Sequence, residues 1–157
     1  MGAAYFYHLT RRSLEETLPV LLDKALGAGW RIVVRGVDLP RITRLDERLW
    51  LGAEDQFLPH GLVGGPHDAL QPVLLSHDTT PVPGTSCLMA VDGAEVTAEE
   101  VTALERVCIL FDGTNPDAVA RARVQWKSLT DAGCSAQYWS EESGRWEKKA
   151  EKTAGGD

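Results

Sequence analysis

The sequence predicts a single α/β domain: an open, twisted, doubly wound and mostly parallel sheet with helices on both faces. Two observations carry that expectation. Short apolar runs suited to buried strands alternate with longer segments of helical period, and such alternation implies parallel pairing through right-handed crossovers. The helical segments also carry their own start and stop signals. No internal repeat or linker divides the 157 residues. Residues 1–149 are therefore expected to form one domain, and the small, polar, Gly-rich 150–157 to fray.

The elements follow in order. Residues 4–9 are rich in aromatics and predict the first strand. After a turn at 10–12, Ser13 and Glu16 form a capping-box pattern, and Leu14, Leu18, Leu21, Leu22, Ala25 and Leu26 repeat at helical spacing. Pro19 is awkward there: either the main helix starts at Thr17, or the helix kinks. Gly27 and Gly29 end it. Residues 30–35 hold Ile32-Val33-Val34, a second buried strand. Asp38 and Pro40 open a second helix over about 40–50, with Ile42, Leu45 and Leu49 facing inward and Arg41, Arg44 and Arg48 outward. An acidic connector and an extended Phe-Leu-Pro-His segment follow at 57–60. Residues 72–77 and 87–91 predict the third and fourth strands, joined by a turn-rich connection. Thr97 with Glu100 is a second capping box, starting a short helix to about residue 104. Residues 107–111 predict the fifth strong strand. The next helix has both ends marked: Asn115 caps it, Pro116 sits at the first position, and Gly133 supplies the left-handed stop. Residues 135–140 complete the strands, with an edge strand expected at 145–149.

Charge and cysteine content narrow the function. Sixteen Lys and Arg against 23 Asp and Glu give a net charge of −7. That disfavours direct binding to nucleic acid, where neutralising phosphates supplies most of the affinity. Cys87, Cys108 and Cys134 are odd in number and have no CxxC pair, as reduced core thiols of a cytoplasmic protein would be. The start of the chain shows no secretory signal, and no apolar run is long enough to span a bilayer.

Signatures of catalysis and cofactor binding are missing. The first turn, Thr10-Arg11-Arg12-Ser13, has no glycine to admit a phosphate, and neither GxxxxGK[ST] nor GxGxxG occurs. No phosphate-binding loop, cofactor or catalytic residue is expected. His60, His67 and His77 match no zinc spacing. Two features keep a nucleotide-binding protein or small enzyme open as the alternative. One is Asp112-Gly113 at a strand's carboxyl end, where α/β sheets bind ligands; the other is the loop Gly61-Leu62-Val63-Gly64-Gly65. A turn before a capped helix accounts for the first, and a flexible loop for the second.

The last long helix is the more informative. Arg123, Trp126 and Lys127 are three and four residues apart and share a face. Two cations flanking an indole suit a ligand both acidic and aromatic. Spacing alone favours a plain solvated face with a half-buried Trp.

Four stretches, taken in order, resemble the chi subunit family of bacterial DNA polymerase III. They are Phe6-Tyr7-His8-Leu9, Leu45-Asp46-x-x-Leu49-Trp50, Phe57-x-Pro59-His60-x-Leu62, and Ala122-Arg123-x-x-Trp126-Lys127 leading to Ala132-Gly133. The resemblance spans most of residues 4–139. It implies a Rossmann-like fold without nucleotide chemistry and a non-catalytic, cytoplasmic accessory subunit. It further implies binding to the acidic, Phe-ended C-terminal tail of the single-stranded DNA-binding protein, and to a psi subunit that connects to the clamp loader. The tail pocket it implies is Phe57, Arg123, Trp126 and Lys127. Trp126 stands where some relatives have tyrosine, and Val119 where a further basic residue can occur. Arg121, the nearest other cation, lies on a different side of the helix.

Overall fold

A computed structural model describes residues 2–50, 61–62, 72–77, 82, 84–143 and 145–152. Phe57, His60, His67 and residues 63–65 lie outside the described residues. The strands are β1 (Ala3–Leu9), β2 (Ile32–Arg35), β3 (Gly61–Leu62), β4 (Val73–Ser76), β5 (Cys87–Val91), β6 (Arg106–Asp112), β7 (Ser135–Ser140) and β8 (Glu147–Lys152). The helices are α1 (Leu14–Gly27), α2 (Leu39–Trp50), α3 (Ala98–Ala103) and α4 (Pro116–Asp131). One sheet runs in the order β3-β4-β2-β5-β6-β1-β7-β8. Every neighbouring pair is parallel except β7 and β8. This is a Rossmann-like α/β sheet. β1 lies between β6 and β7, in a register that brings Leu9 beside Asp112 and His8 beside Ser140.

The strand interiors explain the burial. β2, β4 and β5 are buried at every residue, as parallel strands covered on both faces must be. Side chains alternate across β1, so Ala4 and Phe6 join the core under α3 and α4, while Tyr7 and Leu9 join the core under α1 and α2.

Ser13 and Glu16 close a reciprocal capping box at α1: the Glu16 amide donates to Ser13 Oγ at 3.2 Å, and the Ser13 amide to Glu16 Oε1 at 3.0 Å. α1 starts at Leu14 and runs through Pro19 as one helix. The proline forfeits one backbone bond, but Leu18 and Leu22 on either side are fully buried, and burying two leucines offsets that loss. Asp38 caps α2 through the Arg41 amide at 3.2 Å, and Ile42, Leu45 and Leu49 are buried as expected. Asn115 Oδ1 accepts from the Asp117 and Ala118 amides, with Pro116 at the first turn of α4. Gly133, at φ +90°, takes the left-handed stop.

A partly buried ion pair ties the end of β2 to α3. Arg35, at the end of β2, donates to both carboxylate oxygens of Glu100 at 2.9 and 2.6 Å, and to the Glu95 carbonyl at 3.0 Å. Burial alone would raise the Glu100 carboxyl. The Arg35 bond and charge, with the Thr97 amide, outweigh burial and hold it below the usual carboxylate range.

The edge strand differs from the expectation. β8 spans Glu147–Lys152 and so includes 150–152, which composition predicts to fray. Its residues are mostly charged and exposed, with no apolar alternation to read. It is held by its antiparallel ladder with β7 and by Gln137 Nε2 donating to Glu151 at 2.8 Å. Charged residues at an edge also discourage further strand pairing.

Candidate functional site

α4 crosses from β6 to β7 over β1, packing on β6 and β7. Ala122 and Leu129 are buried, and Trp126 is half-buried at the helix's edge. The indole sits edge-on to the fully buried Phe6, with centroids 5.4 Å apart and planes at 65°, and edge-on to Tyr138 at 6.1 Å. Phe6 and Tyr138 stack at 6.5 Å, and Phe111 lies 5.9 Å from Tyr138. Each such pair adds about 0.5–1.5 kcal/mol beyond its area, so Trp126 is a rigid wall. Phe6, Phe111 and Tyr138 reach one face because they occupy like-facing positions on three adjacent parallel strands.

Two polar anchors fix this wall. The His8 ring lies 3.3 Å from the Gly113 carbonyl through Nε2 and 2.7 Å from the Tyr138 hydroxyl through Nδ1. A carbonyl only accepts, so Nε2–H donates to Gly113, and Nδ1 shares a second hydrogen bond with the Tyr138 hydroxyl. Gly113 makes room for the ring: a Cβ there would lie 1.8 Å from His8 Cδ2. Sequence reasoning places these residues on strands without assigning them to the site. The alternation of Phe6 and His8 along β1 is the signal that puts them on one face.

The cations stand outside the wall. Arg123 is exposed, one turn before Lys127. Burial raises the Tyr138 hydroxyl, and the Arg123 charge acts in the opposite direction. That places the guanidinium within electrostatic reach of the aromatic wall. Lys127 is exposed and paired with Asp131 at 3.0 Å along the helix, a contact worth little in water. Arg123, Trp126 and Lys127 thus share one face, as their spacing requires. Phe57, the fourth predicted member, lies outside the described residues. Arg121 turns elsewhere: its guanidinium packs against Gly93, beside a cleft at the strands' carboxyl ends.

That cleft, about 660 Å³, lies where doubly wound sheets bind ligands. Several of the polar groups in and beside it are already engaged within the chain. Three successive amides of the β1–α1 loop, Thr10, Arg11 and Arg12, donate to Glu141 Oε1 at 3.2, 2.9 and 2.8 Å. Glu141 is itself buried. A carboxylate from the end of β7 fills the place where a nucleotide phosphate would meet this loop. Arg41 is held by Glu15 and, at 2.9 Å, by Asp92. Asp112 Oδ1 accepts from the Thr114 hydroxyl and amide at 2.6 and 2.9 Å, which holds its carboxyl below the usual range. Asp112 ends β6 and its carboxylate braces the turn that follows, and Gly61 and Leu62 belong to β3. Among the described residues, no cluster of three His, Cys, Asp or Glu could hold a metal, and no helix is long and apolar enough to cross a membrane.

A family described as DNA polymerase III chi subunit, HolC, matches residues 1–137. The chain belongs to this chi subunit family. A protein named probable DNA polymerase III subunit chi, from Rickettsia prowazekii (strain Madrid E), is 22% identical over 111 residues, which cover 68% of this chain and 67% of that protein. Chi-family membership makes the chain an accessory subunit of DNA polymerase III, with partners inside the replication complex. The match includes Arg123, Trp126 and Lys127 and stops before Tyr138, Glu141, Trp146 and β8.

Proposed function

We propose that this chi-family protein is a non-catalytic, cytoplasmic subunit that docks the acidic, Phe-ended C-terminal tail of the single-stranded DNA-binding protein. Through a psi partner it connects that tail to the clamp loader. One observation carries the reading: the half-buried Trp126 presents a rigid apolar wall with Arg123 and Lys127 exposed beside it. A terminal aromatic ring packs on the indole, and Phe57 is the further apolar residue that the family resemblance implies for it. Arg123 takes the terminal carboxylate with its planar fork, and Lys127 serves the upstream acidic residues at longer range. The net charge of −7 fits a protein that reaches DNA through another protein rather than by itself.

Titration of a labelled acidic peptide ending in Phe tests this. Arg123→Ala weakens binding by about 1–3 kcal/mol, the value of a charge-assisted bond. Lys127→Ala weakens it less, because Asp131 already competes for the ammonium. Affinity also falls with added salt, since both cations are exposed. Unchanged affinity in Arg123→Ala rejects the assignment.

A further inference from the structure

The opposite face of the sheet holds a second, different cavity. The crossover through α1 leads from β1 towards β2, away from β7. Between α1 and the β7–β8 hairpin it leaves a cavity of about 400 Å³. Tyr7 and Trp146 meet in it edge to face, with centroids 5.4 Å apart. Trp30 and Trp139 also line it, and all four rings are half-buried. Trp139 and Trp146 lie beyond residue 137, where the family match ends.

The charges on this cavity run against the rest of the chain. Arg12, Lys24 and Arg106 line it, and among the described residues no Asp or Glu does, in a chain with 23 acidic residues against 16 basic ones. The Arg106 guanidinium lies over the Tyr5 ring at 4.2 Å and near the Trp30 ring at 5.0 Å. Its Nε is buried without a hydrogen-bond partner. Among the described residues no carboxylate lies within ion-pair distance of Arg106, Arg12 or Lys24, and Glu16, the acidic neighbour of Arg12, is engaged in the α1 capping box. A lining of half-buried aromatic rings selects a flat apolar ligand, and cations without an ion-pair partner select a negative one.

We propose that this cavity binds a small planar aromatic carboxylate. Its ring packs among Trp139, Trp146 and Tyr7, and its carboxylate is held by Arg106 with Lys24 at the rim. The site is separate from the tail-docking face, because α4 and α1 lie on opposite sides of the sheet.

Calorimetric titration of the full chain with 2-naphthoate, 2-naphthylmethanol and 2-naphthylmethylammonium tests it. The anion binds at least about tenfold tighter than the alcohol, a difference of the size one charge-assisted bond provides, and the cation binds more weakly still. Arg106→Gln loses about that factor. Lys24→Gln, at an exposed helix position where folding is not at stake, loses a smaller one. Arg123→Ala leaves naphthoate binding unchanged. Equal affinities for the three probes, or unchanged naphthoate affinity in both Arg106→Gln and Lys24→Gln, overturn the proposal. Displacement of naphthoate by the Phe-ended acidic peptide would also overturn it, because the cavity would then be the tail site.

Discussion

The two faces of β1 show how one strand can build two kinds of aromatic surface. Phe6 points to the α4 side and is fully enclosed; Tyr7, its neighbour, points to the α1 side and is half-buried. The difference comes from where each crossover goes. α4 returns over β1 to β7 and encloses Phe6, leaving parts of Trp126 and Tyr138 to solvent. α1 departs towards β2 and leaves its rings beside unpaired cations. The first arrangement is a rigid wall with cations outside it, and the second is a cavity with cations lining it.

Substitutions can break that comparison, and the largest effect is expected at its centre. Phe6→Ala removes the ring that supports both Trp126 and Tyr138 and costs about 3–5 kcal/mol in urea unfolding. Tyr7→Ala also removes a ring, but a half-buried one, and is expected to cost clearly less. Equal losses would mean that the two faces are packed alike.

Glu141→Ala should come next, at about 1–3 kcal/mol, because three loop amides lose their acceptor. Glu141→Gln keeps a carbonyl oxygen and loses less. If both variants unfold at the wild-type urea midpoint, Glu141 does not hold the β1–α1 loop.

Gly113→Ala sharpens the comparison further. The new Cβ displaces His8 and breaks its bond to Tyr138, at about 1–3 kcal/mol for overpacking. The proposed tail-docking wall loosens with it, so peptide affinity is expected to fall while naphthoate binding on the other face stays.

The smallest effect depends on pH. The Glu100 carboxyl is lowered in the folded protein, with the Arg35 pair overcoming burial. A lowered carboxyl stabilises fully above its unfolded value, about 4.3, and that stabilisation disappears as pH falls through the folded value. The urea midpoints of wild type and Glu100→Gln therefore differ at neutral pH and converge on acidification. A constant gap across that range would contradict the pairing.

Local rules made much of this legible. The capping boxes at Ser13 and Thr97, the Asn115 cap and the Gly133 stop are all read from nearest neighbours, and all stand in the structure. The face shared by Arg123, Trp126 and Lys127 follows from helical period alone. What escaped depends on distant pairing. The β1–α1 loop visibly lacks a phosphate-binding glycine, but the residue that fills the loop, Glu141, is about 130 positions away. The order of strands decides that β7 lies beside β1, and so decides which rings α4 covers. The edge strand was legible but its reach to Lys152 was not, because that end is held by a cross-strand ladder and not by any pattern of its own.

The most direct test of the central claim is a two-dimensional NMR titration of indole N–H signals with the acidic Phe-ended peptide, the Trp126 signal being assigned through Trp126→Phe. The indole of Trp126 is expected to shift progressively, while those of Trp30, Trp139 and Trp146, on the other face, stay in place. A stationary Trp126 with movement at Trp139 and Trp146 would contradict it and put the tail on the wrong side of the sheet.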